Sequence, residues 1–109
     1  MDTLKKLERN GVYLKYEDVM RICQKYHLSE LSIFGSALRD DFNEESDVDI
    51  LVSWANYRKY NKPFDFIEIE DDLRTILKRD VDVIEKEALD NPIRREDILA
   101  SCEVVYVAK

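Results

Sequence analysis

Two aspartates one residue apart, Asp47 and Asp49, open the β-prone run Val48-Asp49-Ile50-Leu51-Val52-Ser53-Trp54. On an extended backbone their side chains leave the same face about 7 Å apart, while Val48, Ile50 and Val52 point the other way into a core. Two carboxylates on one face repel each other and gain nothing from packing, so a divalent cation between them is the natural explanation. Asp82 adds a third carboxylate inside Val81-Asp82-Val83-Ile84, where strand propensity and burial both favour an apolar residue. If that strand lies beside the Asp47 strand, three hard oxygen donors converge, a set that suits Mg²⁺ better than zinc. Asp80 has the same D-x-D spacing to Asp82, but it follows Lys78-Arg79 at a helix end and is expected to be exposed. The rival reading of Asp82 is a salt bridge to a nearby Arg or Lys.

Gly35-Ser36 is the complementary piece. The run Leu31-Ser32-Ile33-Phe34 reads as a strand that turns at Gly35 into the short helical segment Ala37-Leu38-Arg39. Backbone N–H groups at such a turn, with the Ser36 hydroxyl, suit an anion, and glycine permits close approach of the backbone. A phosphate cradle beside metal ligands is the arrangement that a triphosphate bridged by Mg²⁺ requires. Plain helix capping by Ser36 uses the same N–H groups and is compatible with this reading. An EF-hand over Asp41 to Val52 fails, because its sixth position is Ser46 and its twelfth is Val52. Cys23 lies in an apolar stripe and reads as core, and His27 reads as a residue that serves the helix dipole. Tyr57, Tyr60 and the pair Arg94-Arg95 read as packing or solvated surface.

The elements that must hold these residues follow from periodicity. Thr3 to Asn10 predicts a short helix stopped by Gly11. Val19, Ile22, Cys23 and Tyr26 predict an amphipathic helix over 16–26. A polar loop with Asn56, Asn61 and Pro63 follows the acid-bearing strand. A helix then carries Phe66, Ile69, Leu73, Ile76 and Leu77, with Asp65 and Glu68 spaced as a capping box and Lys78-Arg79 at its C-terminal dipole. Val81 to Ile84 is a third strand, Asn91 to Ala100 a helical stretch punctuated by Pro92, and Glu103 to Val107 a last strand. The fold class is α/β (α+β), a small mixed sheet of about four strands flanked by helices.

The chain has 109 residues, 24 acidic and 17 basic side chains and a net charge of −7. This length suits a single domain spanning 1–109. Between Asp40 and Asp49 six of ten residues are acidic and none is basic. Such a balance argues against direct nucleic-acid or anionic-membrane binding, whereas a metal can still bring in a phosphate ligand. The charged start, two distant cysteines and the lack of a long apolar run point to a reduced, cytoplasmic protein without a membrane span.

Gly35-Ser36, ten intervening residues and Asp47-Val48-Asp49 resemble the G-S-x10-D-x-D signature of the DNA polymerase beta nucleotidyltransferase superfamily. The stretches Ile33 to Arg39 and Ser46 to Val52 are similar to minimal nucleotidyltransferases of the MntA type, which accompany HEPN-domain toxins, and Asp82 matches that family's third acid. The resemblance implies that Asp47, Asp49 and Asp82 are catalytic, holding two Mg²⁺ ions around ATP, with Gly35 and Ser36 on the outer phosphates. It implies transfer of AMP to a tyrosine of a HEPN RNase toxin, an antitoxin role and possible hetero-oligomer formation with the toxin. The alternatives are neutralisation by stoichiometric binding, or transfer to a small hydroxyl-bearing acceptor. The missing second domain favours a macromolecular acceptor. One departure stands out: the usual Arg-Gly after the turn is Arg39-Asp40 here, which puts a phosphate role for Arg39 in doubt.

Overall fold

A computed structural model describes residues 2–108. Helices α1 (Asp2–Arg9) and α2 (Tyr16–Tyr26) precede strand β1 (Leu28–Phe34) and a 3₁₀ turn over Gly35–Leu38. Then come β2 (Val48–Trp54), the one-turn helix α3 (Tyr57–Tyr60), α4 (Pro63–Leu77), β3 (Val81–Glu85), a 3₁₀ turn over Lys86–Ala88, α5 (Pro92–Ser101) and β4 (Glu103–Val107). The sheet has the order β3-β2-β1-β4. β1 runs antiparallel to both β2 and β4, and β2 runs parallel to β3, so the sheet is mixed as expected.

Helices α1, α2 and α4 cover one face of this sheet. Val48, Ile50 and Val52 of β2 meet Leu7, Val19, Ile22, Ile69 and Leu73 in a single apolar cluster. Burial of each such aliphatic side chain contributes about 1.5–3 kcal/mol, which fixes which face of β2 points inward. On the opposite face α5 packs Ile98 against Phe34 and Leu51. Two polar ties hold α1 to the sheet edge, from Thr3 Oγ1 to Glu103 at 2.9 Å and from Lys6 Nζ to Glu103 at 2.7 Å.

Local signals set most of the ends. α2 stops where His27 takes a left-handed conformation, with φ 60° and its N–H on the Cys23 carbonyl. Asn91 caps α5 by accepting from the N–H groups of Ile93 (3.0 Å) and Arg94 (3.1 Å), and Pro92 follows at the first helical position. The capping box expected at Asp65 and Glu68 is corrected. α4 starts at Pro63, whose fixed φ and missing N–H suit a first turn, so Asp65 and Glu68 lie inside the helix. Glu68 instead accepts a hydrogen bond from the Tyr26 hydroxyl at 3.2 Å. The polar loop also holds α3, capped by Asn56, whose side chain accepts from the Lys59 N–H. Among the described residues no helix is long and apolar enough to cross a membrane.

Candidate active site

Phe34 ends β1 directly opposite Asp49 in the antiparallel ladder, and Gly35 is the next residue. Gly35 has φ 74°, a conformation that side-chain-bearing residues rarely adopt. A Cβ added there would collide with the Asp49 carboxylate and lie 3.1 Å from its Cγ. Glycine is therefore required twice, once by the turn and once by the acid pressed against it. Ser36 follows, half-buried, and its hydroxyl has no hydrogen-bond partner among the described residues.

On the other side of β2, Asp49 pairs in register with Asp82 of the parallel strand β3. Neighbouring strands lie about 4.8 Å apart, so the two carboxylates leave the same face side by side. Asp47 sits immediately before β2 and is exposed. Burial, then the charge of Asp82 and then that of Asp47 raise the Asp49 carboxyl above its ordinary range, while Arg39 and Arg94 oppose that shift. The five residues read from the sequence thus meet at one end of the β1–β2–β3 segment.

One premise about Asp82 is corrected. It is exposed, not buried, because Val81 and Val83 take the inward positions of β3 and alternation sends Asp82 outward. No cationic side chain among the described residues lies within ion-pair distance of it, so the salt-bridge rival has no partner there. Asp80 is exposed too, with 83% of its side chain accessible, and it stands 4.0 Å from Arg74 Nε. Its carbonyl, rather than its carboxylate, serves the site by accepting the N–H of Val48 at 3.1 Å.

Among the described residues no three acidic, imidazole or thiol side chains close around one point in the manner of a finished metal site. The donor set nevertheless fits a hard cation: three carboxylates at one end of the sheet, one of them held up in pKa by burial and then by the charges of the other two. A bound cation removes that repulsion.

Four further residues shape this region, and of these only Arg39 stands in a local motif. Arg79, expected at the α4 dipole, instead donates from Nη2 to the carbonyls of Asn43 (2.8 Å) and Ser46 (3.3 Å), with its guanidinium 4.4 Å above the Phe42 ring. It braces the acidic loop that delivers Asp47. Asn10, just past α1, donates from Nδ2 to the carbonyls of Ala37 (2.8 Å) and Arg39 (3.0 Å), fixing the turn that follows Ser36. Arg39 pairs with Asp41 at 3.2 Å, and its charge also reaches Asp49. Arg94, read as solvated surface, likewise acts on Asp49 from α5. Its neighbour Arg95 donates to the Lys86 carbonyl at 3.1 Å.

Cys23 is core as expected, 1% exposed and with its thiol pushed up to about 12 by burial. His27 caps α2 and stacks on Tyr60, with ring centroids 4.0 Å apart. A cavity of about 560 Å³ is lined by Tyr16, Cys23, His27 and Tyr106 among others and by none of the three acids. Geometry, charge and backbone conformation, rather than cavity volume, make the acid cluster the candidate site.

A family model described as nucleotidyltransferase domain matches residues 9–105. The chain is 33% identical over 100 residues to protein MJ0128 of Methanocaldococcus jannaschii, covering 92% of this chain and 95% of that protein. It is 36% identical over 84 residues to the protein adenylyltransferase MntA of Thermococcus cleftensis, covering 77% of this chain and 79% of the relative. A solved toxin–antitoxin structure with AMP-PNP matches with TM-score 0.70 and 17% identity, over 88% of this chain and 76% of that one. The complex of a tri-AMPylated Shewanella oneidensis HEPN toxin with its MNT antitoxin matches with TM-score 0.62 and 16% identity, over 94% and 73%. At those identities the two structures speak for the fold.

Proposed function

The chain belongs to the nucleotidyltransferase domain family, and from that premise we propose that it is an antitoxin that moves AMP from ATP to a tyrosine hydroxyl of a HEPN-type RNase toxin. The observation that carries the chemistry is the meeting of Gly35 with Asp49 and of Asp49 with Asp82. It sets a phosphate-sized turn against a carboxylate pair on one sheet face. The protein acceptor rests on the relatives: MntA of Thermococcus cleftensis is a protein adenylyltransferase, and a structural neighbour is an antitoxin bound to an AMPylated HEPN toxin.

Asp47, Asp49 and Asp82 would hold Mg²⁺, two ions as the family resemblance implies, and the bound metal supplies charge neutralisation of the triphosphate and Lewis acidity at the α-phosphate. Gly35 and Ser36 bind the outer phosphates through backbone N–H groups and the free hydroxyl. The tyrosine oxygen attacks the α-phosphorus in line, the bond to pyrophosphate breaks, and the tyrosine proton passes to Asp82, the more exposed partner of the Asp49–Asp82 pair. Asp49, wedged between Gly35 and Asp82, keeps its orientation by contact.

The test is transfer of label from α-labelled ATP to the co-purified toxin. Asp47→Asn, Asp49→Asn and Asp82→Asn are each expected to lower the rate by about 10³-fold or more while the circular dichroism spectrum is unchanged. Full activity in all three variants sinks the reading. Variants that lose transfer yet still silence the toxin move the antitoxin role to stoichiometric binding.

A further inference from the structure

The sequence places Arg94 far from the acids, on the last helix, yet α5 carries it to them. Ile98 packs on Phe34 and Leu51. Phe34 is the ladder partner of Asp49, and Leu51 is the next residue of β2 on the Asp49 face. Arg94 lies one helical turn before Ile98 and therefore on the same side of α5. With Ile98 seated beside the Phe34–Asp49 rung, Arg94 stands on the side of α5 that meets the Asp49 face of the sheet. Its charge acting on Asp49 agrees with that placement.

Arg94 is also uncommitted. Its backbone N–H is bound by the Asn91 cap, but among the described residues its guanidinium makes no hydrogen bond and no ion pair. By contrast Arg39, Arg74, Arg79 and Arg95 all have polar partners. A cation whose charge reaches Asp49 and that is paired with no carboxylate is placed for an anion that arrives with its own counterions.

We propose that Arg94 is a triphosphate-binding residue, its guanidinium donating to non-bridging phosphate oxygens beside the acid pair. This rests on the nucleotidyl-transfer reading. The nucleotide would then be held by backbone N–H groups of the Gly35–Ser36 turn and by a planar fork of N–H donors from α5. The two grips come from segments far apart in the sequence, and the buried Ile98 seats α5 against the first of them.

Binding of ATP and of inorganic tripolyphosphate, each with Mg²⁺, is measured by titration calorimetry on the intact chain. Four proteins are compared: wild type, Arg94→Gln, Arg94→Lys and Arg58→Gln. Arg58 is exposed on α3 and controls for the loss of one positive charge. Arg94→Gln is expected to weaken both ligands by about tenfold or more, the loss of a hydrogen bond between charged groups. Arg94→Lys recovers part of this, Arg58→Gln changes neither, and all four proteins stay folded, since the exposed Arg94 guanidinium makes no hydrogen bond or ion pair among the described residues.

Affinity of Arg94→Gln within twofold of wild type overturns the proposal. So does a loss equal to that of Arg58→Gln, which is a net-charge effect, or normal ATP affinity with a raised KM for the toxin, which assigns Arg94 to the acceptor. If wild-type protein binds neither ligand while it remains folded, the nucleotidyl-transfer reading itself fails, and Arg94 falls with it.

Discussion

On strand β2, Val48, Ile50 and Val52 are completely buried under three helices, whereas Asp49 stands between two of them in sequence and faces the opposite way, half-buried against Gly35. The core face is held by many interchangeable apolar contacts. The acid face is held by a few that are specific: one glycine, one ladder rung and one isoleucine on α5. A change on the core face is therefore shared among neighbours and appears as lost stability. A change on the acid face leaves the fold standing and appears in the chemistry.

The sharpest way to break this contrast is a substitution that couples both terms. Gly35→Ala places a side chain in the left-handed region, at about 1–2 kcal/mol, and drives its Cβ into the Asp49 carboxylate. Displacing that carboxylate is expected to lower label transfer by about 10²-fold or more, along with the melting temperature. Normal transfer by Gly35→Ala would mean that Asp49 has no fixed position.

Leu73→Ala isolates the other face. Leu73 on α4 is fully buried and remote from the acids, so its truncation is expected to cost about 2–5 kcal/mol in urea unfolding. Transfer per folded molecule should not change. A large loss of activity with intact stability would contradict the separation of the two faces.

The smallest effect concerns Asp49 itself. A carboxyl whose pKa is raised in the folded state binds its proton more tightly there than in the unfolded chain. Its contribution to stability is therefore present at acid pH and is lost as pH rises through the raised value. At neutral pH without divalent cations, Asp49→Asn is expected to melt about 2–4 °C above wild type, and the gain should fade below about pH 4. Mg²⁺ should stabilise wild type more than the variant. Melting curves in chelator and in Mg²⁺ across this pH range check both signs, and a metal-free variant no more stable than wild type at pH 7 would remove the repulsion from the account.

Much of the scaffold was legible because it depends on short-range rules. The apolar spacing of Val19, Ile22, Cys23 and Tyr26 marks α2 over its full length, β-branched and aromatic content marks β2, and β4 has the ends expected of it. The start of α4 was misplaced because the helix needs no side-chain cap, and Pro63 serves as its first residue. β1 begins earlier than its apolar run because Ser29 and Glu30 still pair with neighbouring strands or their ends, which no local pattern states. Arg79 and Asn10 act on segments about 30 residues away in sequence, so their partners could not be read beforehand.

The five candidate residues and the chemistry they would suit were determined by the sequence, because residue type and spacing decide which donors a turn and a strand can present. Their convergence was decided by the tertiary structure. Whether Asp82 stands beside Asp49, whether Gly35 lies against that carboxylate and whether Arg94 reaches it depend on sheet order, register and the seating of Ile98. Those are settled by long-range burial, in which a slip of one residue would send Asp49 to the opposite face of the sheet.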